Sequence, residues 1–299
     1  MPHIQILLST YNGEKYLAEQ LDSLLAQKDV EVSLTVRDDG STDGTLQILH
    51  EYEARANVRI IDDGERLGPA RSFMRLLKIA SRADYYAFCD QDDYWLPDKL
   101  AAAATKLAES GERPALYFCQ TTLVNENLQP LPHQKPISPL LTYGESLVYQ
   151  FIGGCTMVMN NALRSIVNAY TPTTLFMHDV WIYSVCLSVG ANVFFDPKSH
   201  ILYRQHGGNV VGQGNHTTEL KRRFKRVLQG KHERYKTARE LLQGYAGEMT
   251  PENLSLTRDY LAAKTNPLKR IRLLTDKRLA TSNPPTTRAF RIALLLGTY

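Results

Sequence analysis

Short apolar runs alternate along the chain with stretches in which apolar positions recur every three to four residues. Ile4-Gln5-Ile6-Leu7-Leu8 reads as a first strand, and Tyr16, Leu17, Leu21, Leu24 and Leu25 line one face of a helix near residues 14 to 26. Val32 to Val36 is the second strand. After the loop Asp38-Asp39-Gly40-Ser41-Thr42-Asp43-Gly44, Leu46, Ile48 and Leu49 mark another helix, and Val58-Arg59-Ile60-Ile61 a third strand. Gly68-Pro69 opens a further helix, and Asp84-Tyr85-Tyr86-Ala87-Phe88-Cys89 is an aromatic strand. This alternation predicts β-α-β units and a mainly parallel α/β sheet.

Beyond residue 114 the pattern loosens. Pro130, Pro132 and Pro136 predict a loop from Asn125 to Ser138 over the site, followed by acceptor-side structure at Gly153 to Met159. After about residue 212 strand patterns cease. Leu220, Phe224, Val227 and Leu228 fit an amphipathic basic helix, and Thr250-Pro251 is a helix start with a capping hydroxyl before proline. The expected organisation is a catalytic domain over 1–212 and a basic helical extension over 213–299.

The 299 residues are 43% hydrophobic and 22% charged, which fits a folded domain and excludes a mostly disordered chain. No apolar run reaches the ~18 to 20 residues of a membrane span, and strand-like sequence begins at once, so a cytoplasmic protein is expected. Cys89, Cys119, Cys155 and Cys186 are widely spaced and read as reduced core residues. The net charge of +4 conceals a split. Residues 211–299 carry 18 Lys and Arg against 7 Asp and Glu, leaving 17 against 24 before them. A tail of +11 on a body of −7 points to contact with an anionic surface. With no interleaved aromatics or nucleic-acid motif, a membrane on its inner, cytoplasmic face is the expected surface. Packing of the tail, or a homodimer through its helices, is the alternative.

Candidate chemistry gathers where strands end. Asp90-Gln91-Asp92-Asp93 places three carboxylates within four residues directly after the aromatic strand. That edge of an open α/β sheet is where ligands bind. Such a concentration of like charge suits a hard divalent cation, Mn2+ or Mg2+, which takes oxygen ligands and leaves positions for substrate phosphates. A solvated turn capping the next helix is the structural alternative. The second acidic loop, Asp38-Asp39, also follows a strand, and a carboxylate there can accept from the edge of a base.

These residues resemble family 2 glycosyltransferases, whose fold is called GT-A. Three segments carry the resemblance, in order and spacing: Ser9-Thr10-Tyr11-Asn12-Gly13-Glu14, Asp38 to Thr45, and Asp90-Gln91-Asp92-Asp93-Tyr94-Trp95-Leu96-Pro97. It covers roughly residues 3 to 212 and implies a mixed, mostly parallel sheet between helices. It also implies an inverting transfer from a nucleoside diphosphate sugar to a glycan or lipid-linked glycan. On this resemblance Thr10, Tyr11 and Glu14 belong to the nucleotide-cradling loop, Asp39 contacts the base, and Arg71 is a basic position near the nucleotide. Asp90 heads the Asp-x-Asp motif on the nucleotide side, and Asp92 touches the metal. Met177-His178-Asp179-Val180-Trp181 is similar to the acceptor-side motif, with His-Asp in place of the commoner Glu-Asp, and makes Asp179 the catalytic base. Helix capping by Asp179 is an equal alternative.

Tyr203-Arg204-Gln205-His206-Gly207-Gly208-Asn209 resembles a stretch of bacterial members that include rhamnosyltransferases of O-antigen and capsule assembly. It assigns His206 or Arg204 to the diphosphate and His206 to the metal, and dTDP-L-rhamnose as the donor expected first, with UDP-hexoses beside it. A nucleotidyltransferase or a dehydrogenase fits less well, since Ser9 to Gly13 has neither a basic phosphate loop nor a Gly-x-Gly-x-x-Gly. A nucleotide-sugar-binding scaffold without catalysis is the non-enzymatic alternative.

Overall fold

The computed structural model describes residues 1–132, 136–206 and 233–299. Among these residues eight strands form one sheet in the order β3-β2-β1-β4-β7-β6-β8-β5. They are β1 (His3–Thr10), β2 (Glu31–Asp38), β3 (Val58–Ile61), β4 (Tyr85–Cys89), β5 (Tyr94–Trp95), β6 (Ala115–Val124), β7 (Val158–Asn160) and β8 (Asn192–Arg204). β3, β2, β1 and β4 are mutually parallel, β7 runs antiparallel to β4 and β6, and β8 is parallel to β6. β6 and β8 slip register between Cys119 and Thr122, where Asp196 pairs with Cys119 and Ser199 with Gln120. Pro197 lies in the skipped stretch, where its missing N–H costs no ladder bond.

Strand alternation sorts the chain into two layers. Ile4, Ile6 and Leu8 of β1 pack with α1 (Leu17–Leu25), α2 (Thr45–Glu53) and α4 (Lys99–Ala108). Leu7 points the other way, toward α3 (Pro69–Ile79), α6 (Asn161–Asn168) and α7 (His178–Ser188). The first β-α-β elements thus lie where the periodicity predicts them. Register then fixes where the loops emerge. Thr10 stands opposite Asp38, and Leu8 opposite Cys89, so β1, β2 and β4 end side by side and deliver three loops to one edge.

The C-terminal helices share the second layer's core. After α5 (Tyr143–Val148) and α7 come α8 (Glu233–Tyr245), α9 (Pro251–Ala262), α10 (Pro267–Leu274) and α11 (Pro284–Leu296). Leu241, Tyr245, Leu256, Leu273 and Leu294 are buried in the same cluster as Phe88 and Trp181. Two buried acids stitch this join. Glu240 of α8 accepts from the N–H groups of Thr173 and Thr174 and from Tyr170, and Glu145 of α5 accepts from the Ser282 N–H and hydroxyl. The expected boundary at 212/213 and the amphipathic helix through Leu220, Phe224, Val227 and Leu228 lie outside the described residues. The apolar side chains Phe290, Ile292, Leu294, Leu295 and Leu296 near the end of the chain are divided between two faces of α11. Phe290 and Leu294 face inward, Phe290 against Tyr260 and Tyr299, while Ile292, Leu295 and Leu296 face solvent.

Candidate active site

The loops after β1 and β2 are tied to each other. Asn12 donates its N–H to the Ser41 hydroxyl (2.8 Å) and accepts from the Thr42 N–H (2.8 Å), while Glu14 accepts from the Gly44 N–H (2.9 Å). Asp38 closes the turn by accepting from Gly40 N, Ser41 N, the Ser41 hydroxyl and the Thr10 hydroxyl. Gly40 has φ +85°, which a side chain would strain. The loops after β1 and β2 are therefore held as one unit. Thr10, expected to cradle a nucleotide, is 1% exposed and spends its hydroxyl on Asp38, so it shapes the loop from beneath. Tyr11 is exposed on the rim, with the Arg66 guanidinium 4.3 Å from its ring centroid.

Asp39 is held firmly. Its carboxylate accepts from Leu67 N (2.7 Å), Gly68 N (2.8 Å) and the buried Arg37 guanidinium (2.6 Å), and Arg37 is also forked onto Asp63. Any base contact is made at the edge of a carboxylate already fixed by three donors. Arg71 lies on α3. It lines a groove of about 400 Å3 between α3 and the chain before α7, with Leu67, Arg75, Lys78, Tyr170 and Thr173.

Beyond β4, Gln91 clamps the first loop, accepting from Tyr11 N (2.8 Å) and donating to Tyr11 O (3.0 Å). Burial, then the charges of Asp92 and Asp179, push the Asp90 carboxyl up to about 7. Burial and the charges of Asp90 and Asp92 push Asp93 well up too, and one of its oxygens has no partner. Behind them Lys99 is fully buried, its Nζ 3.3 Å from the Trp95 ring centroid.

Two sets of ligands present themselves for a metal. Asp90, Asp93 and Cys155 have ligand atoms within 4.8 Å of one another, but the Cys155 thiol is held well up by burial and stays protonated, a poor ligand for a hard cation. Asp92 is the better fit. It lies at the rim with Oδ2 2.8 Å from His206 Nε2, both side chains partly exposed, and the crowding of carboxyl groups around it favours a cation. The structure thus brings Asp92 and His206 together. Arg204 is different. It is 2% exposed and donates to Asp92 O (2.9 Å), Glu126 O and the Glu19 carboxylate, so it anchors the acidic loop and has no reach toward a diphosphate. The loop after β6 reaches this rim, where Glu126 pairs with Lys15 at 2.6 Å, while residues 133–135 of it lie outside the described residues.

α7 brings the last acid. Asp179, its second residue, is 7% exposed and accepts from Val180 N (2.7 Å) and from Gly154 N (3.1 Å) in the 3-10 turn before β7. The N-cap position of α7 is Met177, without a capping side chain, so the Asp179 carboxylate satisfies a first-turn N–H while lying beside Asp90. His178 is buried against Phe73 (centroids 4.1 Å apart) and Phe88 (5.1 Å), neither ring nitrogen has a partner, and burial pulls its pKa down to about 4. A side chain on Gly154 would collide with this imidazole. Sequence reasoning gave no role to Gln91, Arg66 and Arg37, and named Gly154 only within the acceptor-side segment. Only Gln91 carried a signal, its place inside the acidic motif.

The family model described as Glycosyl transferase family 2 matches residues 5–177. The chain belongs to this family. It is 29% identical over 236 residues to dTDP-rhamnosyl transferase RfbG of Shigella flexneri, covering 74% of this chain and 78% of that one. It is also 29% identical over 164 residues to the putative teichuronic acid biosynthesis glycosyltransferase TuaG of Bacillus subtilis, covering 53% and 62%. Among solved structures it resembles S. aureus TarS 1-349 in complex with UDP-GlcNAc, with a TM-score of 0.59, 19% identity, and 98% and 89% of the two chains covered. The mannosyltransferase PcManGT from Pyrobaculum calidifontis, in complex with GDP-Man and Mn2+, gives a TM-score of 0.55 at 18% identity, covering 99% and 86%. The protein is thus a family 2 glycosyltransferase with the GT-A fold expected from its motifs.

Proposed function

We propose that this glycosyltransferase is inverting and cation-dependent. It moves L-rhamnose from dTDP-L-rhamnose to a glycan or lipid-linked glycan acceptor in cell-surface polysaccharide assembly. The observation that carries the mechanism is the convergence of Asp39, Asp90, Asp92 and Asp179 on one sheet edge, drawn from β2, β4 and α7. RfbG, named a dTDP-rhamnosyl transferase, supports the sugar, and TuaG supports a polysaccharide acceptor. PcManGT with Mn2+ supports Mn2+ or Mg2+ as the cofactor.

In this reading the nucleotide lies against Tyr11 and Asp39, with Arg71 on its outer side, and Glu14 holds the loop that cradles it. Asp92 and His206 hold the cation, with Asp90 beside them. Bound there, a divalent cation neutralises charge on the leaving diphosphate. Asp179 takes the acceptor hydroxyl proton as the new bond forms at the anomeric carbon. The electron pair of the broken bond leaves with the diphosphate oxygen, and attack from the opposite face inverts the centre.

A thermal-shift panel of nucleotide sugars with Mn2+ tests the donor, since a ligand binding only the native state raises the melting temperature. The largest shift is expected with dTDP-L-rhamnose, and a larger one with a UDP-hexose would overturn that choice. Asp92→Asn is expected to melt like wild type yet lose turnover. Wild-type rates from this variant in EDTA would refute the cation assignment.

A further inference from the structure

Half of the large apolar side chains that the described residues leave exposed lie on two neighbouring helices at the C-terminus. Leu268 and Ile271 of α10 are 77% and 61% exposed, and Ile292, Leu295 and Leu296 of α11 are 57%, 58% and 66% exposed. The two helices meet, the Arg270 guanidinium lying alongside Gly297. Their inner faces are already satisfied, with Leu273, Phe290 and Leu294 buried in the core. The outer faces are therefore apolar without any need from the fold.

Charge surrounds these side chains. From Lys264 to the end there are eight Lys and Arg against one acid, Asp276, and that acid is spent on Arg278 at 2.7 Å. Arg272, Arg288 and Arg291 are exposed and interleaved with the apolar residues. A face of aliphatic side chains set among arginines matches the boundary between acyl chains and anionic headgroups. A second copy of the chain would bring the same positive face against itself, and a two-fold contact of like charge is disfavoured. Nucleic acid would call for stacking aromatics, and the exposed large residues here are all aliphatic. α11, at 13 residues, is too short to cross a bilayer, and no helix among the described residues is long and apolar enough to do so. A helix of this kind lies flat in the interface.

We infer that the outer faces of α10 and α11 form a membrane-docking surface for an anionic bilayer, with Leu295 and Leu296 inserted and Arg272, Arg288 and Arg291 on the headgroups. The use of such a surface rests on the lipid-linked acceptor proposed above. The binding itself does not, and it is measured without catalysis. The full chain is sedimented with phosphatidylcholine vesicles and with vesicles containing phosphatidylglycerol, at low and high salt, and its mass is followed by light scattering.

Binding to the anionic vesicles at low salt, released by high salt, is expected. Leu295→Gln with Leu296→Gln, and separately Arg288→Gln with Arg291→Gln, should each weaken partitioning by about tenfold or more. Melting temperature and donor hydrolysis should be unchanged, because all four side chains are exposed. Failure of the wild-type chain to sediment overturns the inference, as does unchanged binding by both variants, which would move attachment to basic residues elsewhere. A dimer mass that the leucine variant dissociates, without vesicle binding, would make the face a self-interface. Absence of donor hydrolysis in wild type, with vesicle binding intact, would instead sink the transferase mechanism alone.

Discussion

Replacing His178 tests how the site treats charge. Its imidazole is buried between Phe73 and Phe88 with no hydrogen-bond partner, so the folded state binds a proton only near pH 4 where the ordinary value is 6.5. The sign follows from linkage. On acidification the unfolded chain takes up the proton first, so the stability contributed by a neutral His178 is fully present above 6.5 and lost as pH falls toward about 4. The full gap corresponds to about 3.4 kcal/mol, of which about 2 kcal/mol is lost between about pH 8 and about pH 5.

Leucine at this position fills similar space and cannot titrate. Urea unfolding of wild type and His178→Leu at the two pH values gives four midpoints, and their double difference cancels any pH-independent packing change. Wild type should lose about 2 kcal/mol more than the variant on acidification. If the two lose stability in parallel, within about 0.5 kcal/mol, His178 is not a neutral buried group and the packing around Asp179 has been misread.

Asp179→Asn should lower turnover by about 10²-fold or more with donor affinity little changed. It should also cost about 1 to 3 kcal/mol in a melt, because an amide group replaces one of the oxygens facing Gly154 N and Val180 N. Near-normal turnover in steady-state assays would leave Asp179 a purely structural role. Gly13→Ala places a methyl group against the Gln91 carboxamide and should loosen its two bonds to Tyr11. Donor KM should then rise about threefold to tenfold with kcat nearly constant, and an unchanged KM would show that the clamp does not shape the nucleotide loop.

The β1 to β4 half was legible because its signals are local. Ile4, Ile6 and Leu8 alternate with Gln5 and Leu7, and a period of two dictates a strand with two buried faces whatever its neighbours are. The acidic loops were legible for a related reason. Asp38-Asp39 and Asp90 to Asp93 each follow an apolar run directly, and a parallel strand must deliver such residues to its carboxyl edge. The motif order supplied the family. Partnership was decided in three dimensions. His206 meets Asp92 from 114 residues away only because β8 lies parallel to β6 and ends at the same edge as β4. Arg204, two residues earlier, has equally suitable chemistry but points into the protein and is consumed by Glu19 and two backbone carbonyls. Phe290 and Leu294 look no different in the string from Leu295 and Leu296. Periodicity gives the angle between side chains on a helix, whereas the core that one face meets is built from residues far away in the chain, so the tertiary fold alone determines which of them is buried.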